Sequence, residues 1–465
     1  MKKLRWSRAA GIALTALLAS ACSVPGAGGP AASSGIQGPR ITDRVTPEDV
    51  AELGDTTLRV LADAGEENTL KELVPLYEKK YPNVEVEVVT KGFDDLMKTV
   101  VNSMSGSDAP DLAQGNQGYG TDGPLVEAGL LRPLDDVMRT YGWENTFTDG
   151  ALKQYRWSQD GSLFGSGSLY GISPATEFVG VFYNTRTLDK LGIEPPETYE
   201  EFTRALDKAK DAGTQPLMLG NAEKYPASQV IGLVQAQNVP SRDVRSWISG
   251  VPGATIADQG TEDAAKTVQD WAEDGYFGQG YDGISSDDAV AKFSRGQGAF
   301  LVAGSWNAPA LQESMKGQVG FTLPARADGT RASVGSLGLG WHISAKTKKT
   351  KAAVAFLDLL MSKEFAQTLA DVGRTPVTGG TGIEAASPVV EQVNDIGLKL
   401  LADDGQNFYL DWASTTMYDT VGATTQDLLS GRVTPAGFTR GLQKDWQSFA
   451  YKQRAAAEAG AEDAS

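Results

Sequence analysis

Reactive side chains are scarce in this 465-residue chain. It has one histidine, His342, and one cysteine, Cys22. A Ser-His-Asp or Cys-His site would have to use His342, which lies inside Leu339–Ser344, a stretch that reads as a strand; packing within that strand is its expected role. No His/Cys cluster has zinc-ligand spacing, and no cofactor is implied. Gly278-Gln279-Gly280-Tyr281-Asp282-Gly283 spells GxGxxG but follows a helical stretch, not a strand, so it is no nucleotide-binding turn. Lys346, Lys348, Lys349 and Lys351 read as a solvated face at a helix start. What remains is non-covalent chemistry, in amides, carboxylates and rings near strand ends and in loops. Asn116, Gln117 and Tyr119 follow the Asp111–Ala113 strand. Trp306 follows the buried run Ala299–Ala303 and a Gly-Ser pair. Asp411 and Trp412 pair an acceptor with a ring in FYLDWAS. Trp341 follows Gly338-Leu339-Gly340, Arg374 follows Gly373 at a helix end, Glu177 sits in a polar joint, and Tyr225 and Glu66 lie in loops. Each has a plainer reading beside it: a ring closing the local core, an Arg capping helix carbonyls, a solvated loop residue.

The joint that carries Glu177 organises the rest. In Leu169–Asn184, two strand-like runs, Leu169–Ile172 and Phe178–Tyr183, flank Ser173-Pro174-Ala175-Thr176-Glu177. Both faces of the second run are apolar, the pattern of a strand buried on both sides of a parallel sheet. The joint lacks an Asn-Gly or Asp-Gly turn, so a tight hairpin is not expected. It reads as the chain leaving one α/β lobe for a second, or as an ordinary loop within one domain.

Before the joint, Thr57–Asp63 opens as a strand. Leu70, Leu73, Val74 and Tyr77 follow helical spacing, with Pro75 expected to kink that helix or delay its start. Val84, Val86 and Val88 alternate with Glu85 and Glu87. Phe93, Leu96, Met97, Val100, Val101 and Met104 form the next helix stripe, and Asp111–Ala113 is a strand. This alternation is the signature of a parallel sheet. After the joint, Thr198-Tyr199-Glu200-Glu201 is a capping box. Strands are expected at Gln215–Leu219, Ala299–Ala303, Val319–Leu323 and Leu339–Ser344. From Ser387 on, the chain reads as wholly helical, ending in a helix with Phe438, Leu442, Trp446 and Phe449 inward.

Length alone calls for two domains. A formal net charge of −17 disfavours nucleic acid and anionic lipid surfaces as partners. Lys2, Lys3, Arg5 and Arg8 precede an apolar run, Ala9 to Ala19, that is too short to span a bilayer stably. Small residues then lead into Cys22. Ser23–Arg40, SVPGAGGPAASSGIQGPR, cannot form a core and reads as a flexible tether.

Leu18-Ala19-Ser20-Ala21-Cys22 resembles the lipobox of bacterial lipoproteins, with Leu18 one place earlier than usual. The resemblance implies that Cys22 becomes an acylated first residue; a plain secretory signal with a free thiol is the alternative. Three longer runs, YGISPATEFVGVFYNTRTLDKLGIEPPETYEEF (Tyr170–Phe202), GQGAFLVAGSWN (Gly296–Asn307) and WHISAKTKKTKAAVAFLDLLMSKEFAQTLADVGRTPV (Trp341–Val377), resemble segments of bacterial extracellular solute-binding proteins of ABC importers, in the branch that binds sugars. That resemblance implies an α/β, periplasmic-binding-protein-like (type II) two-lobe fold with a hinge and an inter-lobe ligand cleft. It places the hinge at Ala175–Phe178, a return crossing near Thr322–Pro324 and a third near Pro376. The expected organisation is a signal peptide (1–21), a lipidated Cys and tether (22–56), an N-terminal lobe (57–175 with 325–376), a C-terminal lobe (176–324 with 377–455) and a frayed tail (456–465). The expected role is a non-enzymatic one at the outer face of the cell membrane. A monomer would hold a sugar or oligosaccharide and serve a permease and its ATPase.

Sugars need rings for their C–H faces and carboxylates, amides and Arg for their hydroxyls. Trp306, Glu177, Asn116, Gln117, Tyr119, Asp411, Trp412, Trp341, Arg374, Tyr225 and Glu66 are therefore the expected ligand contacts. Two other functions stay open on residues alone. One is a secreted glycoside hydrolase, since 59 Asp and Glu leave many carboxylate pairs possible. The other is a binding protein for a non-sugar polar solute such as a polyamine.

Overall fold

The computed structural model describes residues 38–147, 149–378 and 382–462. The expected signal peptide, Cys22 and most of the tether lie outside the described residues, as do residues 463–465.

The first sheet begins with β1 (Thr56–Asp63), β2 (Val84–Lys91) and β3 (Leu112–Gly115). β1 pairs in parallel with both β2 and β3, as the strand–helix alternation predicts. The Glu67–Lys80 helix buries Leu70, Leu73 and Tyr77, and it continues through Pro75. Next come a short antiparallel pair, β4 (Arg156–Trp157) and β5 (Ser168–Leu169), and then β6 (Ala175–Asn184). Strands β7 (Leu217–Met218), β8 (Phe300–Gly304), β9 (Val319–Thr322) and β10 (Ser333–Leu337) follow. The last three are β11 (Gly340–Ile343), β12 (Thr375–Pro376) and β13 (Gln406–Asn407).

Two main sheets result. The first has the order β11-β3-β1-β2, with β11 antiparallel to β3. The second is built on β6. β10 and β12 flank its first half, and β8 and β9 flank its second. All four are antiparallel to it. β6 is buried on both faces as expected, but not in a parallel sheet. Double burial reports cover on both faces and says nothing of strand direction. Part of the expected joint, Ala175–Glu177, is already strand.

The crossings also differ from expectation. β10 and β12 pair with β6 in the second sheet, whereas 325–376 is expected in the first lobe. The chain returns to the first sheet between Leu337 and Gly340, not near Thr322–Pro324. β10 escapes a sequence reading because Ser-Val-Gly-Ser-Leu offers little strand propensity. After Ser387 the chain is not wholly helical: β13 and a 3-10 turn, Leu410–Ala413, interrupt it. The last helix runs Pro435–Glu462, into the stretch expected to fray, and buries Phe438, Leu442 and Trp446. Lys349 and Lys351 are not a solvated face: their Nζ atoms lie 2.8 Å from carboxylates of Asp111 and Asp49.

Local signals hold where their chemistry is local. The Thr198 hydroxyl accepts from the Glu201 N–H, and the Glu201 carboxylate accepts from the Thr198 N–H, closing the capping box. Such a cap stabilises a helix by about 1 kcal/mol.

Gly180, in the middle of β6, lies under the Phe321 ring of β9, where a methyl group would overlap the ring. Gly180→Ala is expected to cost about 1–3 kcal/mol by overpacking. Chemical denaturation checks this; an unchanged midpoint would contradict the packing.

Candidate functional site

A cavity of about 480 Å³ opens where the ends of both sheets meet. It is lined by nine of the eleven expected residues, Glu66, Asn116, Gln117, Glu177, Tyr225, Trp306, Arg374, Asp411 and Trp412.

The first sheet supplies two loops. β1 ends at Asp63, whose carboxylate accepts from the Gly65 N–H and caps the short turn Ala64–Glu66. β3 runs out into Asn116 and Gln117. The Gln117 amide donates to the Gly338 carbonyl at 2.7 Å, joining this loop to the segment before β11. The Asn116 Oδ1 accepts from Trp412 Nε1 at 3.2 Å. Gly118, at φ +84, presses against Trp412 so closely that a Cβ would overlap it.

The second sheet and its surroundings supply the rest. β8 ends at Gly304, and the turn Ser305–Asn307 folds the Trp306 indole back over that glycine. Trp306 as a residue remains 36% exposed and lines the cavity. Tyr225 opens the Tyr225–Asn238 helix, with its ring 6.2 Å from Phe93. Arg374 precedes β12. Its guanidinium is paired with Glu177 on β6, lies 3.0 Å from Glu66 and donates to the Gly65 carbonyl at 2.7 Å.

Two expected contacts lie elsewhere. Trp341 is fully buried on β11 against Phe356, on the face covered by the Thr350–Leu360 helix. Its neighbours Gly338 and Leu339 reach the cavity instead. Tyr119 is buried among Trp157, Phe164 and Phe449, and its hydroxyl accepts from the Phe164 N–H. Trp412 lines the cavity but is itself buried, so its part is to hold Asn116. The cavity also uses Asp63, Phe93, Tyr409 and Tyr418, none of them among the expected contacts. The strand-end rule that selected Asn116 applies equally to Asp63, and Tyr409 lies two residues from Asp411. Phe93 and Tyr418 lie in first turns of helices, where the apolar stripe conceals them.

Burial sets the electrostatics. It pushes Glu177 up to about 7; Arg374 opposes this, while Glu66 and Asp63 add to it. Burial pushes Asp411 up to about 6 against the Asn116 amide. Burial pulls Arg374 down, but Glu66, Glu177 and Asp63 outweigh it, so its charge is fixed. The cavity therefore offers one permanent donor fork, amides, open rings, and carboxyl groups that change state near neutrality.

A family model of bacterial extracellular solute-binding proteins matches residues 63–367. The chain belongs to that family. Among curated relatives, it is 24% identical over 317 residues to the multiple sugar-binding protein of Streptococcus mutans, covering 66% of this chain and 71% of that one. Among solved structures, a chitin oligosaccharide binding protein superposes with a TM-score of 0.73 at 22% identity, covering 86% of this chain and 100% of that one. The solute-binding protein RafE in complex with raffinose gives 0.67 at 22% identity, covering 85% and 99%. These likenesses establish the two-lobe periplasmic-binding-protein-like fold. Among the described residues of this solute-binding protein, no helix is long and apolar enough to cross a membrane.

The raised carboxyls of Glu177 and Asp411 carry a sign. Each holds its proton more tightly folded than unfolded, so its contribution is full below the ordinary carboxylate range and fades as pH rises through about 6 for Asp411 and about 7 for Glu177. Thermal unfolding of the ligand-free protein should show stability falling by on the order of 1–3 kcal/mol between roughly pH 5 and pH 8. Glu177→Gln should reduce that fall; an identical profile would contradict the assignment.

Proposed function

We propose that this protein captures a sugar or oligosaccharide in the cavity and delivers it, unaltered, to the permease of an ABC importer. The observation that carries the reading is the pairing of an open indole, Trp306, with hydroxyl-binding groups across the same cavity: Glu177, Asn116, Asp411 and Arg374. Rings cover the C–H faces of a sugar while carboxylates, amides and a guanidinium take its hydroxyls. The family membership and the sugar-binding name of the Streptococcus mutans relative support it. We further infer that Cys22 is acylated and that the tether after it holds the globule at the outer face of the membrane, near the permease and its ATPase.

A thermal-shift panel of mono- and oligosaccharides tests the ligand class. A ligand at a hundred times its Kd should stabilise the fold by about 2.7 kcal/mol. Calorimetry on Trp306→Ala should show that ligand held roughly 10–100-fold more weakly, the value of one buried aromatic face. If no carbohydrate shifts the midpoint, the sugar assignment fails; cleaved product would mean an enzyme instead. Cys22→Ser should move the protein from the membrane fraction to the medium, and retention on membranes would contradict acylation.

A further inference from the structure

His342, the chain's one histidine, is buried on β11 and lies outside the cavity lining. Its Nδ1 lies 2.9 Å from the Tyr170 carbonyl oxygen. A carbonyl only accepts, so Nδ1 carries a hydrogen. Its Nε2 lies 3.2 Å from Oδ1 of Asp122, and the two side chains are 0% and 1% exposed. Among the described residues, neither carboxyl oxygen of Asp122 has a hydrogen-bond partner other than this contact. With Nδ1 already protonated, the contact is attractive only if one further proton lies between imidazole and carboxyl group.

The surroundings are shaped to this pair. A Cβ at Gly115 would overlap Asp122 Oδ1, one at Gly171 would crowd His342 Cε1, and one at Gly340 would crowd His342 Nε2. None of the three glycines has a left-handed backbone, so they are required for room alone. The pair also stands directly behind the first-sheet wall of the cavity. The Asp122 N–H donates to the Asn116 carbonyl at 3.2 Å. Gly115 leads into Asn116 and Gln117, and Gly338 and Leu339 lead into β11.

We propose that His342 and Asp122 are positioning residues for ligand capture, and that the proton between them fastens the far end of the loop after β3, at Asp122, to β11 and so sets the Asn116–Gln117 and Gly338–Leu339 walls. This rests on the cavity being the ligand site. Removal of the proton leaves a buried carboxylate facing an imidazole lone pair, and the walls loosen. Burial alone pulls the imidazole down, but the Asp122 carboxylate and the Tyr170 carbonyl outweigh it and the net direction is up. Burial likewise pushes Asp122 up against His342. Capture is therefore full below the ordinary imidazole range and fades above it. Among the described residues, Tyr155 is the other titratable side chain beside the pair, its ring against Gly171 and Gly340; burial pushes its phenol up, so it stays neutral, and Tyr170 meets His342 through its carbonyl. Beyond Tyr155 lies Glu177, which burial pushes up to about 7, so its own step is largely over by roughly pH 8 and the alkaline side is read above that.

A lone histidine makes the test direct. In tag-free, histidine-labelled protein, NMR reads one imidazole. It should show both ring nitrogens protonated near neutrality, with a midpoint above that of free imidazole that drops in Asp122→Asn. In parallel, the Kd of the sugar giving the largest thermal shift is measured from roughly pH 6 to pH 9. Wild type should weaken by about threefold or more on the alkaline side. Asp122→Asn should be flat there, because its amide donates to a neutral Nε2 at every pH, while Glu177 is left in place. If that variant does not fold, the double variant Asp122→Asn with His342→Gln, whose two amides pair and hold no titratable group, should give the same flat profile. An imidazole with an ordinary midpoint overturns the shared proton whatever binds. Alkaline weakening that persists in the variant overturns the positioning role. Failure of every sugar to bind would strike the cavity assignment and leave the NMR result standing.

Discussion

The Arg374 guanidinium is satisfied from both sheets at once. Taking such a charge out of water costs several kcal/mol unless it is paired and fully hydrogen-bonded. Glu66 and the Gly65 carbonyl come from the turn after β1, and Glu177 comes from the start of β6. No single lobe supplies this set. The cavity exists where the two sheets are held in register by that requirement, and its polar floor consists of the same residues. A hydroxylated ligand placed here competes with, or extends, bonds already made to Arg374, Glu66 and Glu177.

Around that floor the work is divided by where strands end. β3 and β8 stop short, at Gly115 and Gly304, and turn the next residues into the cavity. Glycine matters at both ends because a ring lies against the backbone: His342 at Gly115 and Trp306 at Gly304. One ring is buried and holds a wall; the other is open and offers a face. Trp412 belongs with the first kind, since its indole N–H fixes the Asn116 amide. Ligand-facing chemistry and supporting chemistry thus alternate along short stretches of chain.

Much of this was legible in sequence, for a physical reason. Residues just past a strand end must turn toward a crevice, so Asn116, Gln117 and Trp306 could be selected from local pattern. Glu177 and Arg374 could be selected as charged residues at a hinge and at a helix end. Trp341 misled because small neighbours indicate a close approach without saying which face a ring takes; in β11 it faces the helix side. Tyr119 lies past a strand end as Asn116 does, but the loop has already turned inward onto Trp157 and Phe164. The β6 environment is half legible: burial on both faces follows from Phe178, Val179, Val181 and Phe182, while the direction of its neighbours is a property of chain path alone. Phe93 and Tyr418 carried no distinguishing signal, since a ring in the first turn of a helix reads as core.

The central claim is that one ligand is held jointly by both sheets. Hydrogen–deuterium exchange, with and without the best carbohydrate from the thermal panel, tests it most directly. The account predicts slowed exchange in two places at once, the amides of 115–118 after β3 and those of 304–307 after β8. Protection confined to one of them, or centred away from Arg374, would contradict it.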